Sequence, residues 1–136
     1  MHKSVQHVLC VDDEGDILDV ARMCLELVGG LRVSCCSSGR EALDFVNENV
    51  PDLVLLDVMM PGLDGPATLK EMRSRPKLDA MPIVFMTARV QPAEVQAYKA
   101  SGATGVVPKP FDPMTLASQI NDIWTKYHEQ HYTAAN

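Results

Sequence analysis

The sequence predicts a doubly wound α/β fold, a five-stranded parallel sheet with helices on both faces. Two observations predict it. Five short apolar runs, each too brief for a helix, alternate with stretches whose apolar residues recur at helical spacing. Three of those runs are nearly unbroken by polar residues, as suits strands buried on both faces of a parallel sheet. The 136 residues suffice for one such domain with a substantial core, but not for two.

The first strand is His7–Val11. After it Ile17, Ala21, Leu25 and Val28 recur at helical spacing, and Gly29-Gly30 ends that helix. The second strand is Leu31–Cys36. Ser38 is suited to cap the next helix, which carries Ala42, Leu43 and Val46. The third strand is Leu53–Leu56. Its helix begins near Asp64, with Pro66 in the first turn, and carries Leu69 and Met72. The fourth strand, Pro82–Met86, precedes a helix from near Pro92 whose main large apolar residues are Val95 and Tyr98. The fifth strand, Gly105–Val107, precedes a helix from about Pro113 with Leu116, Ile120, Ile123 and Tyr127 along one stripe. Parallel neighbours need a right-handed crossover of a helix's length. For five strands the leading arrangement is the flavodoxin-like order 2-1-3-4-5, and the length excludes an eightfold barrel. Residues 1–6 read as an N-terminal extension, 7–127 as the domain and 128–136 as a polar C-terminal tail.

Charge and composition narrow the function. The 18 acids outnumber the 12 Lys and Arg, for a net charge of −6. That opposes direct nucleic-acid binding, which needs a basic surface, and suits carboxylates gathered around a cation. No apolar run approaches the roughly 20 residues needed to cross a bilayer. Met1–Gln6 is polar and no signal-peptide core follows it, so the expected compartment is the cytoplasm, with no membrane partner. Cys10, Cys24, Cys35 and Cys36 show no C-x-x-C spacing and no metal pattern with histidine, so they read as small core hydrophobes.

In open α/β sheets ligands bind beyond the carboxyl ends of the strands. Asp12, Asp13 and Glu14 follow the first strand, Asp57 the third, Thr87 the fourth, and Lys109 with Pro110 the fifth. The expected order makes the first and third strands neighbours. Asp12, Asp13 and Asp57 then converge, with Thr87 and Lys109 closing the other side. Singly, such residues read as caps or loop polars, and Glu14 and Asp16 suit a helix start. The conjunction carries the signal. Three close carboxylates raise one another's pKa unless a cation intervenes. Mg²⁺ is the natural one, because it takes one or two protein carboxylates and keeps positions for water and phosphate. A metal, the Lys109 ammonium and the Thr87 hydroxyl around one carboxylate are the parts that stabilise a transferring phosphoryl group. Asp57 is then the nucleophile and an aspartyl phosphate the product.

The run VDDE with Asp12 and Asp13, LLDVMMPGLDG around Asp57, MTA with Thr87, and KPF from Lys109 to Phe111 carry a family signature. From about His7 to Tyr127 the sequence resembles the receiver (response-regulator) domain of two-component signalling. The resemblance implies a signalling switch, not an enzyme acting on an external metabolite. Asp57 would accept a phosphoryl group from a histidine kinase or histidine phosphotransfer domain, and the domain would catalyse only its own phosphorylation and hydrolysis. The resemblance also implies Mg²⁺, with Mn²⁺ as a substitute, on Asp12, Asp13, Asp57 and the Met59 backbone carbonyl. Lys109 would contact the phosphoryl group, Thr87 would move toward it, and Lys109–Pro110 would be cis. Pro61 and Gly65 would shape the loop beyond Asp57. Readout through Thr87, Ala88, Val106 and Pro110 would alter the surface of the fourth helix, fifth strand and fifth helix, controlling a downstream protein. Val106 departs from the family, which carries Tyr or Phe there. That leaves the loop from Ala88 to Gln91, or Tyr98, to carry the signal. Met59 and Arg89 are candidates for tuning the phosphoryl lifetime, Met59 by disfavouring an attacking water and Arg89 by reaching a phosphate oxygen.

Three rivals are weighed against this reading. An aspartyl-nucleophile, Mg²⁺-dependent phosphohydrolase needs a second Asp two residues past the nucleophile, where this chain has Met59. A flavin carrier needs a Ser/Thr/Gly-rich phosphate loop after the first strand, where Asp12-Asp13-Glu14 would repel phosphate. A phosphorylation-independent interaction module is opposed by the complete residue set and favoured only by Val106. Lys70, Arg73, Arg75 and Lys77 read as a solvated helix end. His128 and His131 fall in the polar tail, and His7 is an edge or core residue.

Overall fold

In the computed structural model five parallel strands form one sheet: β1 (His7–Val11), β2 (Arg32–Cys36), β3 (Leu53–Asp57), β4 (Ile83–Thr87) and β5 (Gly105–Pro108). Their order is β2-β1-β3-β4-β5, as expected. Residues 5–135 are described, with side chains as far as residue 129. The crossovers are α1 (Gly15–Leu27), α2 (Gly39–Glu48), α3 (Gly65–Arg73), α4 (Pro92–Ala100) and α5 (Leu116–Ala135). β1, β3 and β4 are buried along their whole length, which is why their sequences lack alternation.

Alternate residues of each strand feed two separate cores. Leu9, Val11, Val54, Leu56, Ile83 and Phe85 pack with Leu43, Val46, Leu69 and Met72 from α2 and α3. Val8, Cys10, Leu55, Val84 and Met86 pack with Leu18, Leu25, Ile120 and Trp124 from α1 and α5. α4 has no buried residue at all, as its poverty in apolar side chains foretells. Helix starts follow the expected chemistry. Ser38 Oγ accepts the Glu41 N–H at 3.1 Å, and Asp64 Oδ1 accepts the Ala67 N–H at 2.9 Å.

Several boundaries differ from expectation. Val5 is buried in the α1/α5 core, and the Gln6 and His7 N–H groups both donate to Asp52 Oδ2 at 2.9 Å, so the fold begins before His7. α5 starts at Leu116 and not near Pro113, because the Asp112 carbonyl accepts from Thr115 and Leu116 and its carboxylate from Met114. α5 then runs past Tyr127 to Ala135, since no Gly or Pro interrupts it. The segment read as a tail therefore continues the last helix, with the Trp124 and His128 rings 4.0 Å apart. Residues 1–4, Asn136 and the His131 side chain lie outside what is described. A 3₁₀ turn, Pro76–Leu78, precedes β4.

The basic cluster at the end of α3 is only partly the solvated end that its sequence suggests: Lys70 and Lys77 are exposed, but Arg73 and Arg75 are half-buried. Arg73 turns inward and donates to the carbonyls of Gly102, Leu78, Asp79 and Met81, with distances down to 2.7 Å. Burial holds its pKa below the ordinary guanidinium value. Arg75 and Lys77 bind Asn47 on α2. Sequence spacing cannot show this, because the carbonyls come from loops that meet only in the folded chain. His7 is buried, with Nε2 2.8 Å from Ser34 Oγ. The four cysteines are free, and three of them are buried. Burial, with Glu41 beside it, pushes the Cys36 thiol up to about 12. Among the described residues no helix is long and apolar enough to cross a membrane.

Candidate functional site

The register brings the acidic residues together. Val11 pairs with Leu56, so Asp12 and Asp57 are the next residues of adjacent parallel strands. Both are nearly sealed from solvent, Asp12 at 0% and Asp57 at 3% exposure. Asp13 follows Asp12 and is exposed. One carboxylate oxygen from each of the three lies within 4.8 Å of the others. A turn holds Asp12 in place: its Oδ1 accepts the Glu14 N–H at 2.9 Å.

Lys109 enters from the far side, just beyond β5. Its backbone N–H donates to the Thr87 carbonyl at 2.8 Å, which places the side chain over the cleft. Its Nζ donates to Asp57 Oδ1 at 3.0 Å. The same Nζ is 2.8 Å from Asp12 Oδ2, yet that oxygen has no well-directed hydrogen bond. One ammonium thus serves two buried carboxylates, and one of their oxygens is left poorly served.

The electrostatics follow. Burial raises the Asp57 pKa, the neighbouring Asp12 charge adds to that, and Lys109 with the Met59 backbone N–H opposes it. Burial alone would lower the Lys109 pKa, but its contacts with Asp12 and Asp57 outweigh burial and raise it. The donor set is all oxygen, part buried and part open at Asp13. It fits a hard divalent ion that keeps some of its water, which is the coordination preference of Mg²⁺.

Thr87 lies one step past the Asp57–Met86 register pair, on the neighbouring strand. It is buried, and its Oγ1 accepts the Arg89 N–H at 3.0 Å. Lys109–Pro110 is cis, as expected. Gly65 is required where α3 meets the end of β3. A Cβ there would lie 2.5 Å from the Asp57 carbonyl oxygen and 2.7 Å from Val58 Cα. Ala88, Lys109, Pro110 and Phe111 border an apolar groove of about 370 Å³ with Ile17 and Val20 of α1. Met59 is 70% exposed beyond Asp57.

Two expected residues lie outside the cleft itself. The Arg89 guanidinium is exposed and 4.0 Å from Glu94 of α4, so it is directed along the helix. Val106 pairs in register with Phe85 and packs against the α2/α3 core. It borders a second groove, about 670 Å³, between α4, β5 and α5. Sequence reasoning missed the backbone donors, the Glu14 and Met59 N–H groups. Amides carry no side-chain signature, although the spacing of Asp12 and Glu14 is that of an Asx turn.

With this geometry in place, similarity to known proteins identifies the class. The family model described as "Response regulator receiver domain" matches residues 8–121, and the chain belongs to that family. Receiver domains are the signalling modules of two-component systems, not metabolic enzymes. "Response regulator SaeR" of Staphylococcus aureus is 39% identical over 127 residues, covering 91% of this chain and 54% of its own length. The chain thus spans about half the length of the curated relatives it matches. Among solved structures, the chemotaxis response regulator CheY4 of Vibrio cholerae aligns with a TM-score of 0.82 and 32% identity, over 88% of this chain and 99% of that one. A putative response regulator from Chloroflexus aurantiacus gives 0.81 and 30%, over 89% and 98%.

Proposed function

We propose that this receiver domain is a phosphorylatable switch whose phosphoacceptor is Asp57. The observation that carries the reading is Lys109 Nζ poised 3.0 Å from Asp57 Oδ1, with Asp12 and Asp13 gathered beside it. The Asp57 carboxylate attacks the phosphorus of a phosphohistidine on a histidine kinase or histidine phosphotransfer domain. A P–O bond forms as the P–N bond breaks, and the donor imidazole leaves with the electron pair and takes up a proton. Lys109 stays beside the oxygens where negative charge collects, and the Thr87 hydroxyl moves in to donate to one of them.

Asp12, Asp13, Asp57 and the Met59 carbonyl would hold Mg²⁺, or Mn²⁺ in its place. Bound there, the ion supplies positive charge that the three carboxylates lack and that phosphoryl transfer needs. Met59 covers the approach to Asp57 and limits hydrolysis. Arg89 acts on the phosphoryl lifetime only after releasing Glu94. The phosphoryl group shifts a two-state equilibrium of the loop from Thr87 through Ala88 and of α4. The face of α4, β5 and α5, including Val106, then controls a downstream protein in the cytoplasm, with Pro110 relaying the change from its place beside Lys109.

The test is mass measurement after incubation of wild type and Asp57→Asn with Mg²⁺ and acetyl phosphate. The reading expects a gain of one phosphate in the wild type alone. No gain that depends on Asp57 defeats it.

A further inference from the structure

The turn between β2 and α2 supplies no side chain to the proposed reaction, yet it touches two walls of the cleft. On one side the Cys36 carbonyl accepts the Asp12 N–H at 3.2 Å. On the other, Gly39, the first residue of α2, is buried against the loop that joins β3 to α3. A Cβ at Gly39 would lie 2.7 Å from the Leu63 carbonyl oxygen and still nearer to Thr68 Oγ1. Gly39 is not among the glycines with a left-handed φ, so close approach alone requires glycine here.

Both partners of Gly39 are themselves fixed. Thr68 is fully buried, and its hydroxyl donates to the Asp64 carbonyl at 2.7 Å. Leu63 packs half-buried on the α2/α3 core, and Met60 is buried in the same core. Met59, Pro61 and Gly62 are exposed, so these anchors set the course of the loop. That loop carries the Met59 carbonyl, while the opposite end of the turn is bonded to Asp12. Two of the proposed cation ligands are therefore tied to one short segment, Cys36 to Gly39.

We propose that Gly39 is a positioning residue for the cation site: its contact with Leu63 and Thr68 sets where the Met59 carbonyl stands relative to Asp12. The turn acts as a strut, joined to Asp12 through Cys36 and to the loop through Gly39. This rests on the Mg²⁺ and phosphoacceptor reading above and adds to it a residue that does not itself touch the ion. Mg²⁺ demands near-ideal octahedral placement of its ligands, so it tolerates little displacement of a carbonyl. A methyl at position 39 would have to open its distance to the Leu63 carbonyl from 2.7 Å to the 3.4 Å of ordinary contact. That exceeds the roughly 0.5 Å within which the geometry of a site must be held.

The test titrates Mg²⁺ into the full chain by calorimetry and measures urea midpoints without Mg²⁺, for wild type, Gly39→Ala, Leu63→Ala and Ile120→Val. Gly39→Ala should weaken Mg²⁺ binding roughly tenfold, the lower end of what supporting residues of metal sites supply. Leu63→Ala removes the apolar anchor of the loop and should weaken binding in the same direction, so it decides the matter if Gly39→Ala does not fold. Ile120→Val, in the α1/α5 core, should lower the midpoint and leave affinity within about twofold of wild type. A merely structural Gly39 would lower the midpoint and leave the affinity of the folded protein unchanged. That result in Gly39→Ala, or in Leu63→Ala where Gly39→Ala does not fold, overturns the inference alone. An equal loss of affinity in Ile120→Val does the same, because affinity then merely follows stability. Absence of Mg²⁺ binding in the wild type overturns the inference and the Mg²⁺ reading together.

Discussion

Lys109 Nζ and Asp57 Oδ1 are hydrogen-bonded at 3.0 Å although their residues are far apart in the chain. That contact closes the cleft, and it is the sole described ammonium contact of Asp57. Lys109→Gln removes the charge and leaves Asp12 and Asp57 buried side by side. Urea unfolding without Mg²⁺ should show a loss of about 1–3 kcal/mol, and Mg²⁺ should restore part of it. Phosphate uptake from acetyl phosphate should slow sharply.

The pH dependence has two limbs. The Asp57 pKa is raised above its ordinary 3.8, so the folded protein holds a proton that the unfolded chain releases. Stability from this group is therefore gained as pH falls from neutral through the folded Asp57 pKa, and Asp57→Asn should abolish that gain. Lys109 is raised above its ordinary 10.5, so its contribution is fully present below that value and is lost as pH rises through the folded pKa. Denaturant midpoints measured across pH for wild type, Asp57→Asn and Lys109→Gln check both limbs.

Asp13 has an exposed carboxylate aimed at the same spot as two buried ones. Asp13→Asn should leave the metal-free melting temperature unchanged or slightly higher, because it removes repulsion. Saturating Mg²⁺ should stabilise the wild type by mass action, by about 2.7 kcal/mol at a hundredfold excess over Kd. The variant should need a higher Mg²⁺ concentration for the same shift, and chelation should reverse it in both. Thermal melts at graded Mg²⁺ read this directly.

Gly65 sits where α3 nearly touches the end of β3, its N–H bonded to the Val58 carbonyl at 3.0 Å. Gly65→Ala would force a methyl into backbone atoms that cannot yield as a side chain does. A loss of about 1–3 kcal/mol is expected. Phosphate uptake should also slow, because the displaced atoms belong to Asp57 and Val58.

Arg73→Ala should cost roughly 2–3 kcal/mol, since several carbonyls at the entries to β4 and β5 lose their donor. Phosphate uptake should persist, because Arg73 acts at the opposite end of these strands from Asp57. Equal loss of uptake and stability would contradict this assignment.

Much of the cleft is legible from sequence because a parallel sheet converts strand ends into neighbours. Once β1 and β3 are adjacent, Asp12, Asp13 and Asp57 must meet, and no side-chain detail is needed. Helix periodicity and caps likewise mark α2 and α3 at Ser38 and Asp64. The ends of α5 depart from the sequence pattern for local reasons. Asp112 delays the start, and a polar sequence without Gly or Pro stays helical beyond the last apolar anchor.

What the sequence by itself determined is the order of strands, the two cores and the identity of the cleft residues. Those follow from periodicity and from the short reach of crossovers, which are local properties of the chain. Only the tertiary structure decided that Arg73 is a half-buried clasp, that Arg89 faces Glu94, and that Tyr98 rests on Phe85. Each of these depends on where a long or bulky side chain finds partners from remote segments. Such partners share no spacing in the sequence and become neighbours only when the sheet and its loops are assembled.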